Sequence, residues 1–255
     1  MNLRYVTCSG ISESTSIKAL TSLAHRYKLM EIAIPVSAAS MQQSGKLPFW
    51  VNMLLLESAQ MPEPINLAIH VNQEWASNIC NGKIPYALSE WLQVAHPDTM
   101  QPMIRRWQLD ISKDIATTIK PNKLAQVIRK FRNLEFVLHV NDDTTAIVNK
   151  MYRTGTKFSV LYDTSGNKGN WKAPLYNNCA FGYAGEISPD NVCENLEKLS
   201  AIIPHTYYWK NRYGHFSNKI WIDAGKQLQT NDTFDTQLAQ QYIKNALNWY
   251  HQHIR

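Results

Sequence analysis

Eight short, β-branched apolar runs recur along the chain, and each is followed by a longer amphipathic stretch. The runs are Asn2–Cys8, Glu31–Ser37, Ile65–Val71, Ile104–Asp110, Leu134–Val140, Lys157–Asp163, Asn178–Ala184 and Lys219–Ala224. Continuous apolar runs of this length suit strands buried on both faces of a parallel sheet. Helical periodicity fills the gaps between them. Ser14–Tyr27 places Ile17, Leu20, Leu23 and Ala24 on one stripe, with Ser14 as its cap. Pro121–Phe131 buries Leu124, Val127, Ile128 and Phe131 and turns its Lys and Arg residues to water. Thr144–Tyr152 is shorter, Ser188-Pro189-Asp190 opens a further helix with Ser at the cap and Pro in the first turn, and Thr233–Tyr250 closes the chain. Eight such units in 255 residues predict an α/β fold: a single (β/α)8 TIM barrel occupying residues 1–255 as one domain. The structural alternative, a doubly wound open sheet, calls for GxGxxG after the first strand, and TCSGISES is not that motif.

With 44% apolar and 18% charged residues the chain is globular, which excludes a wholly disordered or fibrous protein. No apolar run approaches the roughly 18 residues of a membrane span. The opening MNLRYVTCSG lacks a basic start followed by an apolar stretch, so no secretory signal is expected. Cys8, Cys80, Cys179 and Cys193 are widely spread and form no CxxC pair, which argues against a disulfide framework or a zinc site. A reduced, cytoplasmic protein is expected. The net charge of +6, from 26 basic and 20 acidic side chains, suits acidic ligands. Without an RGG tract, finger spacing or arginine block, nucleic acid is not an expected partner, and neither is a membrane. No HxH or HExxH pattern points to a metal.

In a (β/α)8 barrel the chemistry sits at the C-terminal ends of the strands. Those positions here are Cys8, Ser37, His70, Asp110, His139, Asp163, Gly185 and Asp223. Each chemical reading has a structural counterpart. Cys8 is equally a small buried hydrophobe, Asp163 a turn cap, Asp223 a satisfied buried carboxylate, and His70 and His139 hydrogen-bonded core side chains. Trp50, Trp75, Trp91 and Trp107 read as packing. Trp171 lies in the loop after the sixth strand, where it would stack on an aromatic ligand or anchor a lid. The aromatic and basic segment Pro204–Lys219 precedes the eighth strand and belongs to the opposite face, covering the barrel bottom or forming a dimer contact.

Several of these strand ends, taken in order, resemble phosphoribosylanthranilate isomerase. YVTCSGIS is similar to that family's KICG-type first strand, and SVLYDTSGNKGNW to its LLD segment with a following glycine loop. FGYAGEISPDNV resembles LAGGLNPENV, WIDAGKQLQTNDTFD resembles VDVSSGVE, and WQLD echoes a QLHG segment. The likeness orders the whole chain, with strong motifs over about 50 residues. It implies an Amadori rearrangement of an N-linked ribose phosphate, in which an acid protonates the ring oxygen and a base takes the C2 proton. By that resemblance Asp163 is the acid and Cys8 the base, Asp223 is a site residue, and no cofactor or metal is required. The phosphate would lie on backbone N–H groups at Gly185, Glu186, Ala224 and Gly225. The chain departs from the family in specific places. Its second loop, PVSAASMQQSGK, has no Arg, leaving Lys46 as the substitute cation. Glu186 and Ala224-Gly225-Lys226 replace a glycine pair and an SSG. The expected protein is a monomer or homodimer that binds a phosphorylated small molecule, as an isomerase or as a divergent, non-catalytic or differently acting barrel.

Overall fold

Each of the eight apolar runs is a strand of one sheet, and the sheet closes on itself. The computed structural model describes residues 2–42, 46–164, 171, 179–203 and 219–253. Strands β1 (Asn2–Cys8), β2 (Met30–Val36), β3 (Asn66–Val71), β4 (Ile104–Leu109), β5 (Glu135–Val140), β6 (Ser159–Asp163), β7 (Phe181–Ala184) and β8 (Lys219–Ala224) follow one another in space as in sequence. All neighbours are parallel, and closure comes from β8 pairing β1, with Val6 opposite Ile222 and Cys8 opposite Ala224. The fold is therefore a (β/α)8 barrel. Among the described residues, no helix is long and apolar enough to cross a membrane.

The connecting helices are α1 (Ile17–Arg26), α2 (Ala38–Gln42), α3 (Lys46–Ala59), α4 (Gln73–Cys80), α5 (Tyr86–Trp91), α6 (Lys113–Thr118), α7 (Pro121–Lys130), α8 (Thr145–Arg153), α9 (Val192–Ile202) and α10 (Thr236–His253). Helix α1 buries Leu20, Leu23 and Ala24. Its cap is Ser16, whose hydroxyl accepts from the Ala19 N–H, not Ser14. Ser16 wins because it sits three residues before that amide, while the Ser14 hydroxyl pairs with Ser12. Helix α7 starts at Pro121, whose missing N–H costs nothing in a first turn, and buries Leu124, Ala125, Val127 and Ile128. Helix α9 begins at Val192, later than the Ser-Pro pair implies. Residues 188–191 form a turn in which the Ser188 N–H donates to Asn191 Oδ1 and the Asn191 N–H donates to Ser188 Oγ. Before α10 the chain makes a two-stranded hairpin, Gln229–Thr230 against Thr233–Phe234, so the last helix also starts late.

The strands are not apolar on both faces. Their outward side chains pack against the helices in one large core, while the inward ones are substantially polar. At the centre the Arg106 guanidinium pairs with Glu31 through Nη1, and its Nε lies 3.5 Å from Glu135 Oε2. Thr7 Oγ1 donates to Glu31 at 2.8 Å, Ser159 Oγ donates to Glu135 at 2.6 Å, and Arg4 pairs with Glu135 at 2.8 Å. The Arg106 plane lies 4.1 Å over the Trp221 ring and 5.0 Å from that of Tyr5. Val137, Leu161 and Trp221 complete a small apolar cluster inside the ring.

Trp221 needs room that only glycine at position 182 supplies. A Cβ built there would stand 2.2 Å from the indole Cε2, far inside contact distance. The Gly182→Ala variant should therefore lose about 1–3 kcal/mol of stability through overpacking, read as a lower urea midpoint. An unchanged midpoint would mean that the indole is free to move.

Candidate functional site

The C-terminal mouth of the barrel holds a cavity of about 500 Å³. Its walls come from the ends of six strands: Ser9 after β1, His70 on β3, Gln108 on β4, His139 on β5, Asp163 on β6, and Asp223 on β8. The last residues of β7 and β8, Ala184 and Ala224, and the turns that follow them, Gly185 to Ile187 and Gly225 to Gln227, also line it. Asp163, Ala184 and Asp223 are register neighbours on three adjacent strands. The two carboxylate residues thus flank a small residue, with Cα atoms about 10 Å apart at the usual strand spacing.

Asp223 is buried, and burial pushes its carboxyl up to about 6. The Ser9 hydroxyl donates to Asp223 Oδ1 at 2.8 Å and opposes that rise. His70 Nε2 lies 3.7 Å from Asp223 Oδ2, and Gln108 Nε2 lies 3.3 Å from His70 Nδ1. Burial, reinforced by the neighbouring His139, depresses His70 to about 3, so its imidazole is neutral at ordinary pH. His139 Nδ1 is 3.7 Å from Asp110 Oδ1. Its Nε2 is buried and has no hydrogen-bond partner among the described residues.

The turn after β7 is backbone-driven. Gly185 has φ of +119° and Glu186 φ of +49°, two successive left-handed residues. A turn at a strand end brings main-chain N–H groups to the rim, where barrels of this kind hold anions. Glu186 is exposed and its carbonyl accepts from Asn191 Nδ2 at 2.8 Å, which secures the turn to the approach of α9. After β8, Gly225 lies under Ser9, whose Oγ would be 2.8 Å from a Cβ there, and Lys226 follows on a short 3-10 turn.

Of the positions singled out in the sequence, the structure brings Asp163, Gly185, Glu186, Asp223, Ala224 and Gly225 to this cavity, together with His70 and His139. It does not bring Cys8. Tyr5, Thr7 and Ser9 face the interior, so period-two alternation turns Cys8 outward into the apolar core between sheet and helices. Burial there, with Asp223 and Glu31 nearby, pushes the thiol far above its ordinary range, and it stays protonated. Lys46 is exposed at the start of α3, away from the cavity. Trp171 packs edge-on against Tyr183 at 5.4 Å and donates from Nε1 to Asn195 on α9 at 3.2 Å, so it braces the helix layer and does not line the mouth. Residues 204–218, most of the aromatic and basic segment, lie outside the described residues. The sequence reading missed Ser9 and Gln108. The signal for both was alternation: Ser9 is two residues beyond Thr7, and Gln108 two beyond Arg106. Among the described residues, no group of three His, Cys, Asp or Glu side chains is arranged to hold a metal.

The fold and mouth define a (β/α)8 barrel with acid–base groups and a positive-φ glycine turn at one rim. No protein-family model matches the chain. No curated protein matches it in sequence either. Among solved structures it is similar to N-(5'-phosphoribosyl)anthranilate isomerase from Pyrococcus furiosus, with a TM-score of 0.52 and 11% identity over 96% of this chain and 98% of that one. At that identity the likeness establishes the shared barrel.

Two outcomes follow. Asp223, raised in the folded state, holds a proton that the unfolded chain releases, so its contribution to stability falls as pH rises from about 4 to about 6. His70, depressed to about 3, has the opposite sign, and its contribution rises across the same window. The wild-type urea midpoint should therefore vary weakly between pH 4 and 6. Asp223→Asn should gain a midpoint that climbs with pH, and His70→Gln one that falls. Matching slopes in both variants would refute the assignment. Cysteine labelling tests the placement of Cys8: of the four free thiols only Cys193 is exposed, so one equivalent of alkylating agent should react quickly with native protein. Rapid labelling of Cys8 would contradict its burial.

Proposed function

We propose that the chain, acting as one barrel domain over residues 1–255, is an isomerase-like enzyme that moves protons on a phosphorylated sugar derivative. The substrate class is an N-linked ribose phosphate, rearranged from aminoaldose to aminoketose. The observation that carries this reading is the convergence of Asp163, Asp223 and two histidines on one cavity beside the left-handed Gly185-Glu186 turn. Asp163 protonates the ring oxygen as the ring opens, and a base in the mouth takes the C2 proton. The phosphate rests on the main chain at Gly185, Glu186, Ala224 and Gly225, with Lys226 as the adjacent cation. Lys46 and Trp171 stand away from this cavity and have no contact role in the reading. Neither do a metal, an organic cofactor, nucleic acid or a membrane. The protein works as a monomer or homodimer in the reduced cytoplasm, in keeping with its four free cysteines.

The burial of Cys8 favours a second reading, in which the barrel keeps its anion-binding turn but is non-catalytic or acts differently on a phosphorylated small molecule. Asp163→Asn separates the two. Under the first reading, turnover of the N-linked ribose phosphate falls about 10²–10⁴-fold while inorganic phosphate still binds. Wild-type protein that binds phosphate without turnover supports the second. Glu186→Gly removes a carboxylate from the turn and relaxes its left-handed backbone, so it should tighten phosphate binding measured by calorimetry. Unchanged or weaker binding would place the anion elsewhere.

A further inference from the structure

We propose that the two histidines of the mouth form a couple held in opposite tautomers, with Gln108 fixing His70 as a hydrogen-bond donor and Asp110 fixing His139 as the proton acceptor. The inference deepens the acid–base reading of the cavity by naming the base that Cys8, facing the helix layer, does not supply.

The geometry assigns each ring by what its inner nitrogen meets. Gln108 Nε2 carries only protons, and it lies 3.3 Å from His70 Nδ1. That nitrogen must accept, which leaves the single proton of the neutral ring on Nε2. His70 Nε2–H then points toward Asp223 Oδ2 at 3.7 Å, itself an acceptor. Both contacts agree on one tautomer. At His139 the order is reversed. Nδ1 faces a carboxylate oxygen of Asp110 at 3.7 Å, so the proton is favoured there. Nε2 is left with a bare lone pair, buried in the wall that His139 contributes to the cavity, and without a protein partner among the described residues. A buried nitrogen without a protein partner calls for an explanation, and a catalytic role is one. The two 3.7 Å separations are of the kind that shorten when a substrate closes the site.

In the reaction, His139 Nε2 takes the proton from the substrate carbon, and the C–H electron pair becomes the C1=C2 bond as the iminium nitrogen takes up its π pair. The imidazolium so formed faces the Asp110 carboxylate, and it returns the proton to C1 when the C2 hydroxyl becomes a carbonyl and loses its proton to water. His70 stays neutral and donates from Nε2. His139 is thus the group that touches the reacting atoms, and Gln108 and Asp110 are positioning residues.

The test is long-range ¹H–¹⁵N correlation of ¹⁵N-histidine in the intact protein without ligand at pH 7.5, with each ring assigned through its backbone. His139 should appear as the Nδ1–H tautomer and His70 as the Nε2–H tautomer. Gln108→Glu, which puts an acceptor where a donor stood, should invert His70 alone, and Asp110→Asn should shift His139 alone toward Nε2–H. Both rings in the Nε2–H form in wild-type protein would overturn the proposal, as would variants that leave the tautomers unmoved. This readout needs no substrate. Opposite tautomers without turnover of the ribose phosphate would leave the couple standing and remove the substrate assignment. Turnover with like tautomers would do the reverse.

Discussion

The Arg106 guanidinium lies fully inside the barrel, between the carboxylates of Glu31 and Glu135 and against the faces of Trp221 and Tyr5. A lone charge at that depth would cost several kcal/mol, and two carboxylates without it would cost more, because the surroundings cannot hydrate them. Each charge is tolerable only with the others in place. These groups come from β2, β4 and β5, and Thr7 on β1, Ser159 on β6 and Trp221 on β8 join them. The ring must therefore close for the network to exist. Burial raises the Glu135 carboxyl, but Arg106 and Arg4 outweigh it and hold Glu135 below its usual range, as an anion. Burial opposes the charge on Arg106, but the two carboxylates raise it overall and keep it cationic.

That plug is also the floor of the mouth. Arg106 lowers the basicity of His70 and stabilises the anion of Asp223, so the charge inside the barrel reaches the groups one layer above. The interior is filled by a few large planar groups, and Gly182 is the concession that lets Trp221 lie across it. Above this layer the inward residues are mostly polar and smaller than the indole and guanidinium below, which leaves room for the cavity. The rim divides by chemistry: polar side chains from β3 to β6 and β8, and main-chain turns after β7 and β8. At 11% identity the likeness to a solved barrel extends to the fold, and on such a fold the groups at the strand ends set the chemistry.

The fold was legible in the sequence because βα alternation is a local signal. All eight strands appear within a few residues of their sequence positions, since β-branched runs and amphipathic stretches encode their own periods. The element starts that moved, α1 at Ser16 and α9 after Asn191, turned on which of several nearby Ser or Asn side chains met an unpaired amide. About half of the mouth was legible as well. Asp163, Asp223, Gly185 and Glu186 sit where strands end, and strand ends can be counted. Lys46 and Trp171 could not be placed in this way, because they lie beyond strand ends in connections whose course depends on helix packing.

Cys8 shows where such reading stops. It stands at a strand end inside a stretch resembling a catalytic motif, yet a shift of one residue on a strand moves a side chain from one face to the other. The sequence by itself determined eight βα units, their order, and a ring of polar residues at their carboxyl ends. Only the tertiary structure decided which face of each strand looks inward, because that choice is made by closure: the ring admits Tyr5, Thr7 and Ser9 beside the buried ion network and sends Cys8 into the apolar layer, where a thiol is well solvated by carbon and a thiolate is not.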